Sequence, residues 1–521
     1  MILINNLKLP LDTDFTDLKS TVQKAIKCDV ISAKLHRKSV DARRKNDLHF
    51  CCSVLAEVKN EEKFLKTNKN ASVYKKQEYK WLKCERRPEN RPVVVGFGPA
   101  GMFAGITLAR AGLCPLIIER GSKVEERTVA VRKFFAGGKL NPECNVQFGE
   151  GGAGTFSDGK LNTGIKNPKC RTVLEVLCLM GASEKILTDA KPHIGTDILV
   201  DVVRNIRKEI LSLGGEILFD TKLENINILN GKITSIIANG KEIPCDNLIL
   251  ATGHSARDTY RMLLVSGVEM VQKPFAVGVR IEHLQEDINR SLYGENCNHP
   301  NLGAADYKLA CHLPNGRGVY TFCMCPGGEV INASSEELMT AVNGMSNSGR
   351  DGVNSNSALL VGVNPEDFGG DDVLAGCDFQ EKIEKSAYNI GRGRVPVGTV
   401  GNFVFGEEFK ISKVIPSVKP DYVYSDFTDI FPPFVLESLR QGILEFGKKI
   451  KGFDDPQAVL TAPETRSSAP VRITRNENFQ SSSVLGLYPC GEGAGYAGGI
   501  VSAAVDGMTV AEEIISQVNK G

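Results

Sequence analysis

The stretch RPVVVGFGPAGMFAGITLARAGLCPLIIERG, residues 91–121, contains every part of a nucleotide-binding strand, turn and helix. Its apolar first strand leads into the pattern Gly-x-Gly-x-x-Gly, formed by Gly96, Gly98 and Gly101. The first glycine permits a tight turn, the second lets the backbone approach a pyrophosphate, and the third lets helix and strand pack closely. A second apolar strand ends at Glu119, where a carboxylate is placed to bind ribose hydroxyls. This unit predicts a Rossmann-like dinucleotide-binding domain in an α/β protein.

The bare glycine pattern occurs twice more, beginning at Gly149 and at Gly493, but neither copy is a complete unit. The first copy follows a short polar segment and precedes the turn-rich sequence TFSDGK, so it has neither the strand nor the helix that the motif requires. The second copy precedes a helical pattern, yet the sequence stops at Gly521, before another strand with its ribose-binding acid. One complete dinucleotide-binding unit is therefore predicted, not two.

The C-terminal cluster GLYPCGEGAGYAGGI, residues 486–500, is predicted to be the second half of the same site. Glu492 is placed to bind the ribityl hydroxyls of a flavin, and the glycines around it let the backbone and a helix N-terminus approach the ring. That positive helix end would stabilise negative charge on a reduced flavin. The alternative interpretation is a tight structural turn before a terminal helix. With both halves present, we expect FAD as the cofactor.

The composition is that of a globular protein of two or three domains, with 521 residues and a formal net charge of +1. No apolar run approaches the ~18 residues needed to span a membrane, and Met1–Leu11 lacks the features of a signal peptide. We expect a cytoplasmic protein with no membrane partner. The 15 cysteines are sparse and irregularly spaced, which favours reduced thiols. No His/Cys cluster has metal-ligand spacing, so no metal site is expected.

Four segments are expected along the chain. They are a basic α+β domain at residues 1–85, a first part of the FAD domain at 90–270, an inserted α+β substrate domain at 271–478, and the C-terminal part of the FAD domain at 479–521. The first segment is basic, since residues 1–90 carry 20 Lys and Arg against 12 Asp and Glu, a net charge of about +8.

The N-terminal segment is predicted to contain a strand at Ile2–Leu9, a helix at Asp17–Lys27 and two further strands, with the lysine-rich stretch Lys63–Arg87 as a linker. Its basic loop HRKSVDARRKND, residues 36–47, has two interpretations. It either contacts RNA or another anion, or is a solvated loop between paired strands. The scarcity of nearby aromatic side chains, which would stack on bases, favours the solvated loop.

Longer motifs carry a resemblance to a known family. They are NVQFGEGGAGTFSDGKL (145–161), VGVRIEH (277–283), YTFCMCPGGEV (320–330), ETRSSAPVRI (464–473) and GLYPCGEGAGYAGGIVSAAVDG (486–507). Together with Glu119 and the ATG at Ala251–Gly253, they resemble the uncharacterised FAD-dependent dehydrogenase family of bacteria and plastids. The resemblance covers nearly the whole chain. It implies a glutathione-reductase-type FAD/NAD(P)-binding domain with an inserted substrate domain, plus a small N-terminal α+β domain of ferredoxin-like type.

The resemblance, together with the glycine-rich and basic positions beside its motifs, predicts a set of cofactor-binding residues. They are Gly96, Gly98, Pro99, Ala100, Gly101, Glu119, Arg120, Arg127, Gly152, Gly491, Glu492, Gly498, Gly499 and Ile500. For Arg127 two roles stay open, because it would either neutralise the pyrophosphate or lie at the surface. The segment that contains Gly152 is glycine-rich and polar, as expected of backbone against a flavin ring or phosphates; the alternative is an ordinary surface loop.

The catalytic candidates are Cys323, Cys325 and Arg466. A Cys-x-Cys pair in a strand would point both thiols to one face, toward flavin or substrate, although two buried inert thiols are the alternative. Arg466 would clamp an anionic substrate or the flavin, with Glu464 orienting it, unless the two form a structural ion pair. The loop GMSNSGRDG, which contains Ser346, Asn347 and Arg350, is either a polar lid or a long loop.

The function expected from these features is an FAD-dependent oxidoreductase that transfers a hydride or electrons between FAD and a small substrate. Without a second Rossmann unit, NAD(P)H would have to bind elsewhere or be replaced by another electron partner. Two alternatives are an RNA-associated flavoenzyme that uses the basic N-terminal domain and a flavin monooxygenase.

Overall fold

The computed structural model describes residues 1–76 and 78–520. Its N-terminal part is an antiparallel four-stranded sheet with strand order β2-β3-β1-β4 and two helices packed on it. The elements are β1 (Ile2–Leu9), α1 (Leu18–Ile26), β2 (Val30–Asp41), β3 (His49–Val58), α2 (Glu61–Thr67) and β4 (Ala71–Val73). The side chain of Asp17 caps α1 by accepting a hydrogen bond from the Ser20 amide.

Two expectations for this part are corrected. The predicted linker Lys63–Arg87 contains most of α2 and all of β4, because Phe64 is buried in the core of the sheet despite its lysine-rich surroundings. The predicted basic loop, residues 36–47, is strand over its first half, because β2 extends to Asp41. Arg43 donates to Asp41 at 2.9 Å, and Lys8 donates to Asp47 at 2.9 Å. Both acids of the loop are thus paired, and the loop keeps its excess of positive charge.

The next part contains the nucleotide-binding unit. Its elements are β5 (Val93–Val95), α3 (Pro99–Ala111), β6 (Leu116–Ile118), α4 (Val124–Phe135), α5 (Lys169–Leu179), α6 (Thr196–Ser212), β7 (Glu216–Leu218), β8 (Leu223–Leu229), β9 (Lys232–Ala238), β10 (Lys241–Pro244), β11 (Leu248–Leu250) and α7 (Arg257–Val265). Helix α3 begins with Pro99, whose missing N–H costs nothing in a first turn, and ends at Ala111, followed by Gly112 as its cap in the left-handed region.

The chain then forms a larger mixed sheet. Its elements are β12 (Met270–Gln272), β13 (Phe275–Leu284), α8 (Gln285–Tyr293), β14 (Ala310–His312), β15 (Gly318–Cys325), β16 (Glu329–Asn332), β17 (Val342–Met345), β18 (Asn354–Val363), α9 (Pro365–Phe368), α10 (Ala375–Gly391), β19 (Val395–Thr399), α11 (Val400–Phe405), β20 (Tyr422–Tyr424), α12 (Pro433–Gly447), β21 (Val459–Glu464) and β22 (Val471–Ile473). Seven strands have the order β14-β15-β18-β13-β21-β19-β20, and β12 pairs with β22 beside them.

The last two elements, β23 (Leu487–Pro489) and α13 (Ile500–Lys520), return to the nucleotide-binding unit. A five-stranded parallel sheet results, with the order β23-β11-β5-β6-β7. Alternate residues of its strands face opposite layers. Val94, Ile117 and Ile249 pack against α3, α6 and α13, whereas their strand neighbours pack against the β8–β10 sheet.

Helices α3 and α13 are in very close contact, which fixes the position of the C-terminal turn. A Cβ at Gly507 would lie 2.1 Å from the carbonyl oxygen of Ala100, so only glycine allows this approach. The contact brings the start of α13 beside the turn that follows β5. Both halves of the site predicted from sequence therefore meet at the carboxyl ends of the parallel strands. No helix within residues 1–76 and 78–520 is long and apolar enough to cross a bilayer.

Candidate functional site

A cavity of about 440 Å³ lies where the parallel sheet meets the seven-stranded sheet. This volume is within the range of small-molecule sites, roughly 300–1,000 Å³. Most of the residues expected to bind the cofactor line it, namely Gly96, Gly98, Pro99, Ala100, Glu119, Arg120, Gly152, Glu492, Gly498, Gly499 and Ile500. The three catalytic candidates, Cys323, Cys325 and Arg466, line it as well.

The turn after β5 has the tight geometry that its three glycines require. Gly96 adopts a φ of 95°, and a Cβ there would lie 2.4 Å from the Ala251 carbonyl oxygen. Gly101 does not line the cavity; a Cβ on it would lie 1.9 Å from the Gly96 carbonyl oxygen, so its role is the contact between helix and turn. The amides at the start of α3 consequently lie next to the cavity, as anion binding at a helix N-terminus requires.

Backbone rather than side chains forms the cavity wall beside this turn. Gly98 and Gly152 face each other closely, because a Cβ on Gly152 would lie 3.0 Å from the Gly98 Cα. The segment that contains Gly152 forms a short 3-10 turn, Gly152–Phe156, so the glycine copy that begins at Gly149 lacks the strand and helix of a dinucleotide motif. This segment lines the cavity and is not the ordinary surface loop considered as its alternative.

Glu119 is held by the backbone around it. Its carboxylate accepts hydrogen bonds from the amides of Phe97 at 2.8 Å, Gly121 at 3.0 Å and Gly149 at 2.9 Å. The carboxylate is 5% exposed and lies on the cavity wall. Because each carboxylate oxygen has more than one acceptor site, the group still has capacity for a ligand hydroxyl.

The C-terminal half of the site supplies a second carboxylate. Glu492 lines the cavity, and burial raises its pKa to about 7, although the positive charge of Lys273 opposes that rise. Gly491 packs against Ala100, where a Cβ would lie 2.7 Å from the alanine side chain. A Cβ on Gly498 would meet nothing within 4 Å, so this glycine leaves open space in front of α13.

Arg127 has a different place from the one expected. It is fully buried, and its guanidinium donates to the carbonyl oxygens of Asn145, Val146, Gly149 and Glu150 at 2.6–3.2 Å. It does not line the cavity. The pyrophosphate role and the surface alternative are both wrong: the side chain fastens the loop that carries the amide of Gly149 to α4.

The Cys-x-Cys pair does not present two thiols on one face. Cys323 adopts a φ of 41°, and the pairing of β15 with β18 shifts by one residue between Phe322 and Cys325, which is a β-bulge. Both residues line the cavity, but Cys323 is exposed and Cys325 is buried. Although Cys323 is exposed to the cavity, the surrounding protein desolvates its thiol and raises the pKa to about 12, so this group is protonated at neutral pH.

Glu464 does not orient Arg466. Its partner is Arg280, which is fully buried and donates to the Glu464 carboxylate at 2.8 Å and to the Cys323 carbonyl oxygen at 2.7 Å. Arg466 instead donates to both carboxylate oxygens of Glu384, at 3.1 and 2.9 Å, and to Ser335. These contacts occupy the guanidinium, so Arg466 supports the cavity wall more than it clamps a ligand.

Asp158, Lys160 and Arg350 form a charged cluster at the cavity that the sequence predicted only in part. The buried carboxylate of Asp158 accepts from Lys160 at 2.5 Å and from Arg350 at 2.9 and 2.5 Å, and Ser346 also donates to it. Arg350 therefore belongs to the wall and not to a free lid or loop. The polar turn TFSDGK signals the position of Asp158 and Lys160, but nothing in the sequence places Arg350 beside them.

His254 is a further wall residue that the sequence did not single out. Burial, together with the charges of Arg466 and Arg257, lowers its pKa to about 3. The imidazole is therefore neutral at physiological pH, and its Nδ1 lies 3.0 Å from the Ser255 hydroxyl. A neutral imidazole keeps one donor and one acceptor nitrogen for hydrogen bonding.

Comparison with family models divides the chain into three matched ranges. Residues 1–57 match a domain of unknown function (DUF8436), residues 90–290 match the pyridine nucleotide-disulphide oxidoreductase model, and residues 274–467 match the model "FAD-dependent protein, C-terminal domain-like". An uncharacterized protein of Clostridium beijerinckii is 49% identical over 526 residues, which is 99% of each chain.

Solved flavoprotein structures are much more distant. CtdE in complex with FAD is 13% identical, with 83% of this chain and 87% of that chain covered and a TM-score of 0.32. Glycine oxidase from Bacillus cereus is 12% identical, covering 82% and 95%, with a TM-score of 0.32. A geranylgeranyl bacteriochlorophyll reductase-like protein from Thermoplasma acidophilum is 14% identical, covering 82% and 79%, with a TM-score of 0.35.

Proposed function

The chain belongs to an FAD-dependent oxidoreductase family, and on that premise we propose that it oxidises or reduces a small molecule in this cavity. One observation carries the proposal. A single cavity joins the two cofactor-binding turns to the inner residues of the seven-stranded sheet, among them Cys323. A substrate on the sheet side would thus lie in contact with the cofactor.

The residues present fit FAD. The close approach of Gly98 and Gly152 leaves a wall of bare backbone, as a pyrophosphate needs. Glu119 would bind the ribose hydroxyls of FAD, and Glu492 would bind its ribityl hydroxyls. The open space before α13 leaves room for the planar flavin ring. When bound, FAD supplies the hydride or electron chemistry, and the protein supplies binding, orientation and the electrostatic surroundings.

Three groups of residues would hold the reacting partners. Helix α13 directs its positive end toward the cavity from Ile500, which favours negative charge there. The buried pair of Arg280 and Glu464 holds the bulge at Cys323, because Arg280 donates to the Cys323 carbonyl oxygen. The thiol of Cys323 and the neutral imidazole of His254 are the uncharged polar groups that a substrate would meet on the wall.

The proposal is tested by mixing the anaerobic FAD-loaded protein with NADH and with NADPH in a stopped-flow instrument. Bleaching of the flavin absorbance by either nucleotide would identify a nicotinamide electron donor that binds outside a second Rossmann unit. Reduction by dithionite serves as the control for a flavin that can be reduced at all. A protein that holds no FAD after reconstitution would overturn the proposed function.

FAD binding should strengthen as the pH rises through about 7. Because burial raises the pKa of Glu492 to about 7, raising the pH converts this carboxyl from the neutral form to the ionised form. The ionised form is the stronger acceptor for ribityl hydroxyls, so ligand binding favours it. The dissociation constant of FAD, measured by fluorescence quenching between pH 6 and pH 8, should fall by several-fold.

The matched variant for this pH dependence is Glu492→Gln. It keeps the size of the side chain and an amide oxygen as acceptor, but it has no ionisation in this range. We expect weaker FAD binding that no longer changes between pH 6 and pH 8. An unchanged pH slope in the variant would assign the titration to another group.

A further inference from the structure

We propose, as a refinement that rests on the proposed function, that the substrate carries an anionic group, a phosphate or a carboxylate, and that Lys160 and Arg350 bind it. The cavity wall holds an excess of positive charge at these two residues. Asp158 is the one carboxylate that Lys160 and Arg350 share, and its side chain is 3% exposed. Two cations against one anion leave a net positive charge in a largely buried place.

The two cations are themselves partly withdrawn from water. The side chains of Lys160 and Arg350 are 26% and 12% exposed, so neither is a freely solvated surface charge. Burial of an unbalanced charge is costly unless a counter-charge accompanies it. His193 lies in the same region, and burial lowers its pKa. A histidine is neutral or positive, so it cannot offset the positive charge of Lys160 and Arg350. An anionic ligand group would supply the missing negative charge.

More cations surround the same end of the cavity. Leu161 donates to the Pro192 carbonyl oxygen at 2.9 Å, which brings Lys191 beside Lys160. Lys191 forms an ion pair with Asp306 at 2.6 Å, and Lys308 follows two residues later on the cavity wall. Among the described residues, four cationic side chains therefore line this end of the cavity, those of Lys160, Lys191, Lys308 and Arg350. Two Asp side chains, those of Asp158 and Asp306, line it with them. Charge of one sign in a cleft concentrates ligands of the opposite sign.

The protein maintains Arg350 in an unfavourable backbone conformation. Its φ is 49°, in the left-handed region that non-glycine residues seldom occupy. Contacts on both sides hold it there. Gly327 packs so closely that a Cβ would lie 2.0 Å from the Arg350 carbonyl oxygen, and Ser348 donates its amide to Asp197 at 2.7 Å. Such strain, retained by the surrounding structure, is typical of a ligand-binding position.

The test uses the oxidised, FAD-loaded protein and two probe anions, inorganic phosphate and succinate. Each is titrated at constant ionic strength, maintained with NaCl, while the visible flavin spectrum is recorded. We expect a saturable spectral change with at least one of them. A stronger response to phosphate would indicate a phosphate-bearing substrate, and a stronger response to succinate a carboxylate. No saturable change with either anion would overturn the proposal.

Variants locate the binding site. Arg350→Gln or Lys160→Gln should weaken binding of the probe by roughly tenfold or more, because each removes a charge-assisted hydrogen bond. Lys308→Gln changes an exposed residue of the rim and keeps the cluster of Asp158 intact, so binding of the probe anion should weaken by only a few-fold. Lys166→Gln removes an exposed charge outside the cavity wall and serves as the matched control. Equal weakening in this control would also overturn the proposal.

The same samples separate this inference from the proposed function. If the function proposed above is wrong, the protein will not retain FAD or its flavin will not be reduced. If only the anionic substrate is wrong, the flavin will be bound and reducible, and its spectrum will be indifferent to both probe anions.

Discussion

Gly101→Ala should leave the protein almost without bound FAD. The added methyl group would lie 1.9 Å from the carbonyl oxygen of Gly96 and 2.9 Å from its carbonyl carbon. Both are backbone atoms, so no change of rotamer relieves the clash, and α3 must move away from the turn. Overpacking of this kind costs about 1–3 kcal/mol. Because the displaced helix carries the amides that face the pyrophosphate, we expect the loss to appear mainly as lost affinity for FAD.

The measurement is the ratio of flavin absorbance to protein after reconstitution and gel filtration. A dissociation constant raised by tenfold or more corresponds to about 1.4 kcal/mol. The matched control is Gly105→Ala, one turn later in the same helix. There the methyl group would meet the terminal Cδ1 of Ile117 at 2.6 Å, which is the movable end of a side chain. FAD content near that of the unmodified protein is expected, and equal loss in both variants would contradict the explanation.

The local parts of the site could be predicted from sequence because each is encoded in a short stretch. The turn at Gly96 to Gly101, the acid at Glu119 and the C-terminal turn at Glu492 are patterns of at most about 30 residues. Their chemistry depends on glycine and carboxylate positions within the stretch. The family comparisons confirm FAD as the cofactor predicted from these patterns.

The parts that depend on distant contacts could not be predicted. Arg466 and Glu384 lie 82 residues apart, and only the packing of α10 against the end of β21 brings them together. Because Glu464 is near Arg466 in the sequence, it was expected to be the partner of Arg466. The partner of Glu464 is the buried Arg280 instead. The interpretation of Cys323 failed for another reason. Alternation along a strand assumes regular pairing, and the β-bulge removes that regularity.

Glu384→Gln should cause the largest loss of stability among these variants. Glu384 is fully buried and accepts hydrogen bonds from two guanidinium groups, those of Arg257 at 2.8 and 2.9 Å and of Arg466 at 3.1 and 2.9 Å. Thr465 donates to it at 2.5 Å. The variant keeps the shape of the side chain but leaves two buried cations with one negative charge fewer. Breaking a buried ion pair from one side costs about 3–5 kcal/mol.

The acid dependence of stability provides a second measurement on the same residue. Burial by itself raises the pKa of Glu384, but Arg257 and Arg466 outweigh it and hold the pKa well below its usual range. Since the folded pKa is depressed, the stabilisation is complete above the unfolded pKa of about 4.3 and is lost as the pH falls below that value. Glu384→Gln has no such carboxyl, so its unfolding temperature should decline less as the pH falls from about 5 to about 3.

The matched control for Glu384→Gln is Glu381→Gln, one turn earlier in α10. Glu381 forms ion pairs with Arg261 and Lys385, whose side chains are 45% and 53% exposed. Because water can solvate those partners after the change, the loss should be about 0–1 kcal/mol. Thermal unfolding of both variants, measured with and without FAD, therefore compares two buried carboxylates on the same helix, one with buried partners and one with exposed partners. Equal destabilisation of the two would show that the charges around Arg466 are not what holds the cavity wall together.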